Sequence, residues 1–291
     1  MKRILILLLL AAFLPLPALA QETPSAADFQ RRFNNLTQRV GLDGVGVETL
    51  LDKWEAAYPD DVQLQLCRFA FCFTRSRTAR VIQLDRDRYL GQAPLVPYTD
   101  SLGVKRNYFE DYEYDDELFG AALQAVDRAI AARPHRLDYR TTRIDALLAY
   151  EKETPDMGLQ ALKELADKQY KEHTPWEYEG LTSVSEEQFR AFMQDYCVAL
   201  FRLGSDSGRE AFKTLTEYML GYCKDEPLFV NNLGSYYLVK REFKQARKYI
   251  DKVLKKHPDD ATALQNGLLL ARAQKDKKLE KKYQDLIAKT R

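Results

Sequence analysis

Histidine is scarce: the chain has three in 291 residues, His135, His173 and His257, each isolated and two beside helix-ending prolines. No His, Cys and carboxylate grouping has metal-ligand spacing. No G-x-S-x-G, S-x-x-K or glycine-rich phosphate loop occurs. Adjacent acids such as Asp85/Asp87 and Asp115/Asp116 lie in charged stretches, where chance pairing is expected among 43 acidic residues. The sequence therefore offers no catalytic constellation, no cofactor motif and no metal site. An enzyme whose site is assembled from irregular segments is the weakest of the function classes considered.

Net charge is also nearly absent, with 44 basic residues against 43 acidic ones. Without Lys2 and Arg3 the balance is 42 to 43, which argues against a dedicated nucleic-acid binder. Charge is nevertheless concentrated locally. EDYEYDDE (110–117) is acidic and aromatic, while KKHP and KDKKLEKK make the C-terminal stretch Lys-rich. Such runs read as solvated helix faces, with an acidic-partner or membrane-surface patch as the alternative.

The one long apolar run, Ile4 to Leu19, follows Lys2-Arg3 and ends in Ala18-Leu19-Ala20. That order is a secretory signal peptide over 1–20, cleaved after Ala20. A retained anchor is the alternative, but Pro15 and Pro17 break the run and it falls short of the ~20 residues a spanning helix needs. No cysteine stands at the cleavage point to carry a lipid. The mature chain is expected to be exported, periplasmic or secreted, with no integral span.

Export permits disulfides, yet there are only four cysteines. Cys67 and Cys72 are five residues apart on one helical pattern, so they point roughly 140° apart and cannot bridge. Cys197 is mid-helix and Cys223 is at the end of the next helix. Four buried, reduced thiols are expected, with a Cys197–Cys223 bridge as the alternative.

Nearly all of the rest reads in helical period. Ser25-x-x-Asp28 is a capping-box pattern opening a helix to about Val40. After GLDGVG (41–46), Leu50, Leu51, Trp54 and Tyr58 form an apolar stripe that Pro59 ends. YPDDVQLQL (58–66), RPHRLDYRT (133–141) and HPDDATALQ (257–265) each place a proline at a helix end and a polar cap before the next helix. Recurrent punctuation of this kind marks stacked helical hairpins. The pattern fails at about 80–115, where APLVPYTD (93–100) and VKRNYFE (104–110) flank Ser101-Leu102-Gly103. A β-hairpin or an extended loop is expected there. A second irregular stretch runs from about 173 to 184.

Residues 227–260, PLFVNNLGSYYLVKREFKQARKYIDKVLKKHPDD, resemble a tetratricopeptide repeat of 34 residues. The match is carried by Asn232, Leu233, Gly234 and Tyr237 on the first helix, Ala246, Tyr249 and Val253 on the second, and Pro258 at the end. Degenerate halves occur at 47–59, 121–134 and 137–152, and 261–291 reads as a further repeat and charged cap, with Asn266 one repeat length after Asn232. The resemblance implies one all-α domain over 21–291, a right-handed superhelical array of antiparallel helical hairpins with a small insertion. It places Gly234 and Ala246 where the two helices meet most closely, and Tyr237 and Ile250 in the interhelical core.

By the same resemblance, function is non-catalytic binding of a protein or peptide partner, as a scaffold in the bacterial cell envelope. The groove candidates are then Asn231, Asn232, Ser235, Leu238, Asn266 and Leu270 on successive first helices. Lys240 and Arg241 sit past the sites from which some family members clamp a carboxylate, so a full clamp is absent. A rival reading uses aromatics of the irregular segments, Tyr108, Tyr112, Tyr114 and Trp176, as a surface for carbohydrate or a small ligand. For each of these aromatics, packing against the helices is the competing role.

Overall fold

A computed structural model describes residues 23–179 and 183–290; the expected signal peptide lies outside them. Among the described residues the helices pair in chain order. The pairs are α1 (Ala26–Val40) with α2 (Val47–Ala57), α3 (Val62–Arg75) with α4 (Asp116–Ala132), and α5 (Leu137–Glu151) with α6 (Asp156–Tyr170). They continue with α7 (Glu186–Arg202) and α8 (Asp206–Tyr222), α9 (Pro227–Val239) and α10 (Phe243–Lys256), and α11 (Ala261–Ala273) and α12 (Lys277–Lys289). Successive pairs stack: α6 touches α8, α7 touches α9, and α9 touches α11. This is the expected all-α array of tetratricopeptide-like hairpins. No described helix is long and apolar enough to cross a membrane.

The caps explain where the helices begin. Ser25 and Asp28 form the expected reciprocal capping box, and Ser185 with Gln188 forms another. In both PDD segments the second aspartate is the N-cap, Asp61 for α3 and Asp260 for α11. Each cap also accepts a bond from the preceding pair, from Trp54 Nε1 at 3.0 Å and from Asn231 Nδ2 at 3.0 Å respectively. The punctuation thus starts a helix and ties it to its neighbour. Trp54 is fully buried against Phe29, as its helix face predicted.

All four cysteines are free and have separate neighbours: Cys223 Sγ lies 3.0 Å from the Tyr170 hydroxyl and Cys197 Sγ 3.8 Å from Thr216 Oγ1. Burial pushes the Cys67 and Cys197 thiols up to about 12, with Asp61 adding to the effect on Cys67. Cys67 and Cys223 are only half-buried.

The insertion is a hairpin, entered between the two helices of the second pair. Its regular ladder pairs β1 (Arg77–Leu84) with β2 (Asn107–Tyr114), antiparallel. The expected turn at 101–103 is present, closed by Gly103 N donating to Asp100 O at 3.0 Å, but 93–100 supplies only isolated bridges to 105 and 108. The ladder partner, 77–84, shows no apolar alternation because Arg80, which pairs with Asp111, shares the strand face of Ile82 and Leu84. Arg80 Nη2 (2.8 Å), Lys152 Nζ (2.9 Å) and the Tyr89 hydroxyl (3.0 Å) all reach the Asp111 carboxylate, which is 2% exposed. Burial raises the Asp111 pKa, yet the bonds from Lys152, Arg80 and Tyr89 outweigh it, so the group is held below the usual carboxylate range. Through Lys152, at the end of α5, this network fastens the hairpin to the array.

Candidate functional site

The first helices α5, α7, α9 and α11 share one face of the array, and the expected groove residues sit on α9 and α11. Their side chains divide into two groups. Asn231, Asn232 and Asn266 are buried, and Leu270 has no exposed surface. Asn232 and Gln194 of α7 exchange amide bonds in both directions, 2.9 and 2.7 Å, and Asn232 also approaches Thr216 Oγ1 at 3.4 Å. One repeat later, Asn266 Nδ2 donates to Ser235 Oγ of α9 at 3.0 Å. The repeat's asparagine therefore straps α9 to α7 and α11 to α9. Leu270 packs in the core between α10, α11 and α12, which removes it from any surface open to a partner. Ser235 and Leu238 stay half-buried and keep surface on this face. Exposed aliphatic side chains also stand on these two helices: Leu228 and Val239 on α9, and Leu269 on α11.

The Asn232–Gln194 pair is testable as a strap. Gln194→Ala leaves the buried Asn232 amide without its main partner and should cost about 1–2 kcal/mol. Asn232→Ala leaves the half-buried Gln194, which can rehydrate, and should cost about 1 kcal/mol. A double-mutant cycle read by denaturant unfolding should give a coupling of about 1 kcal/mol. Additive losses would remove the strap.

The aromatic candidates do not form one platform. Trp176 is 2% exposed and lies in the core of α5 to α8, with the Arg140 guanidinium 5.5 Å from its ring. Its segment is tied back to the α4–α5 turn: Glu177 N donates to His135 O at 2.9 Å, and Leu137 N donates to Glu177 O at 2.8 Å. Tyr114 packs against Phe73, Phe119 and Tyr150. Tyr112 is half-buried under Arg77. Tyr108 is exposed on the hairpin, paired with Val96 and bonded to Leu95, which are exposed too. Packing thus accounts for Trp176 and Tyr114, and the burial of Trp176 removes it as a stacking surface.

A concavity that sequence reasoning did not single out lies further along the same face, between α5 and α7. It has a volume of about 270 Å³ and is lined by Thr141, Asp145, Tyr178, Phe192, Asp195, Tyr196 and Ala199. The tie at Glu177 sets Tyr178 beside Phe192, with ring centroids 5.1 Å apart and planes at 31°. Tyr196 donates to Asp145 Oδ1 at 2.9 Å, bridging the two helices. Burial raises the Tyr196 phenol, and the adjoining Asp145 charge raises it further. Lost hydration also pushes Asp145 up, against the pull of the Tyr196 bond. Phe192 and Tyr178 are half-buried while Asp145 and Asp195 are exposed residues, so the cavity opens to solvent and the desolvation of Asp145 is partial. On a helix, Asp145 and Asp195 read as ordinary solvated acids, which is why the sequence did not reveal them.

No family model matches the chain, and no curated protein matches it. Among solved structures, PilW, described as a widely conserved type IV pilus biogenesis factor, is 10% identical over 89% of this chain and 90% of its own, with a TM-score of 0.36. PilF of Pseudomonas aeruginosa is 13% identical over 89% and 88%, also with a TM-score of 0.36. At those scores the superpositions are too loose to transfer a function, so the face described above is the basis for one.

Proposed function

We propose that the chain is a non-catalytic scaffold of the bacterial cell envelope, exported by its N-terminal segment, that binds an extended segment of a protein partner along the first-helix face. One observation carries this reading. The first helices carry an open, aromatic-lined cavity on α5 and α7 and, on α9 and α11, exposed aliphatic side chains together with the half-buried Ser235 and Leu238. Mixed apolar and polar surface on successive first helices suits an extended chain, and helical-hairpin arrays present such surfaces. Export rests on the basic-apolar-small order of residues 1–20.

The reading is checked with a photo-reactive residue placed at Ala199 or Gln265, both exposed on first helices, and at Lys248 or Lys244, exposed on the second helix α10. Cross-linking in intact cells should yield the same partner peptide from the two first-helix positions and nothing from the second-helix ones. A partner captured only from Lys244 or Lys248 would place binding on the other face.

A further inference from the structure

We infer that the cavity between α5 and α7 receives a lysine or arginine side chain of the bound segment. This rests on the reading that the first-helix face holds a protein segment, and it names the chemistry that segment must carry. Two carboxylates, Asp145 and Asp195, line the cavity and, among the described residues, no basic residue does. In a chain rich in ion pairs, neither carboxylate has a cationic partner among the described residues. Asp127 on α4 pairs with Arg143, Asp138 on α5 with Arg136, and Glu226 beside α9 with Arg190. Asp145 is exposed at the cavity; its Oδ1 accepts from a neutral hydroxyl, and its Oδ2 is open to solvent with no cationic partner among the described residues.

The remaining lining is aromatic. Tyr178 and Phe192 lie against each other at one side, and Tyr196 closes the floor with its hydroxyl on Asp145. Aromatic faces attract a cation electrostatically, more strongly where water is partly excluded, and carboxylates beside them complete a cation site. The same lining disfavours an anion, which would meet two like charges, and gains little from a neutral side chain. A volume of about 270 Å³ admits a long side chain together with water. The exposed aliphatic residues on α9 and α11 then suit apolar side chains elsewhere in the same segment.

The test uses the full mature chain and small probes. N-acetyl-arginine amide and N-acetyl-lysine amide are titrated while amide NMR shifts are followed at Asp145, Phe192 and Asp195. N-acetyl-citrulline amide, a neutral isostere of the arginine probe, is the control, and tetramethylammonium stands for a small quaternary amine. The arginine or lysine probe should saturate, weaken as salt rises, and lose at least tenfold in affinity in the Asp145→Asn/Asp195→Asn variant. Asparagine keeps the acceptor that Tyr196 uses, so the fold is retained.

Citrulline binding equally well, or unchanged binding in the double variant, would overturn the inference. Tighter binding of tetramethylammonium than of either amino-acid probe would also overturn it, in favour of a small amine. The scaffold reading is separated by the Ala199 cross-link. If that cross-link persists undiminished in the double variant, the scaffold stands and the cation site falls. If no first-helix position cross-links a partner, the scaffold reading itself fails.

Discussion

Replacing Asp111 with alanine is expected to release the hairpin from the array. The carboxylate is almost fully buried and accepts from Arg80, Lys152 and Tyr89, which lie on three separate stretches of chain. Its removal leaves Lys152, 22% exposed, without its anion, while Arg80 keeps only Glu113 at 3.6 Å. Breaking a buried ion pair on one side costs about 3–5 kcal/mol. Arg80 is 47% exposed and can rehydrate, so about 2–3 kcal/mol is the reasonable figure here. The loss should be local, because the α3–α4 contact and the other pairs do not depend on the carboxylate.

Limited proteolysis within 85–106 should therefore accelerate by one to two orders of magnitude, while helix content at 25 °C stays near that of the parent. The same network sets a pH dependence. The Asp111 pKa lies lower folded than unfolded, so its contribution is complete above the ordinary aspartate value and disappears as pH falls through the folded pKa. Protease sensitivity of the hairpin should rise below about pH 4 in the parent. In Asp111→Ala the rise should be smaller, coming only from acids such as Asp100, which accepts from Arg106, Val104 and Leu102 and is also held below the usual range. A parent hairpin that stays protected throughout acid titration would show that the network does not hold it.

Asp111 also shows what was and was not legible beforehand. The helical hairpins could be read because each carries its own signals: an apolar stripe, a proline stop and an aspartate or serine cap. Those signals are local, and Pro59-Asp60-Asp61 and Pro258-Asp259-Asp260 act where they stand. The role of the repeat's asparagines depends on what faces them across two helices. Asn232 meets Gln194, 38 residues away, and so becomes an internal strap. The acidic run at 110–117 looked like solvent-facing charge, yet it contains the hairpin's anchor, an aromatic packed on α4 and α5, and the N-cap of α4. In strand register Asn107, Phe109 and Asp111 turn inward together. No apolar alternation announces that, because two of the three are polar and are satisfied by partners distant in sequence.

The last expectation concerns the glycines of the two C-terminal pairs. The repeat resemblance points to Gly234 as the place of closest helix approach. The geometry there is more permissive: a methyl at Gly234 would lie 3.5 Å from Ile250 Cγ1 and 3.8 Å from Tyr249 Cβ, ordinary contact distances. Gly267 is the tight position. It falls one repeat length after Leu233, and Tyr283 falls one repeat length after Tyr249. Where the preceding repeat has a leucine, this one has no side chain, and the Tyr283 ring occupies the space, only 2% exposed. A methyl at Gly267 would overlap that ring.

Gly267→Ala should therefore destabilise the α11–α12 pair by about 2 kcal/mol, an overpacking cost of ~1–3 kcal/mol only partly offset by alanine's better helix propensity. Gly234→Ala should be near neutral, or stabilising by up to ~1 kcal/mol, for the same propensity reason without the overlap. Hydrogen exchange resolved by segment is the suitable readout, because a terminal pair of a stacked array opens against one neighbour only. Protection in α11 and α12 should fall for Gly267→Ala and be largely restored by adding Tyr283→Leu, which vacates part of the ring's volume. A larger loss from Gly234→Ala than from Gly267→Ala would reverse the assignment of the tight crossing and return it to the position that the repeat pattern names.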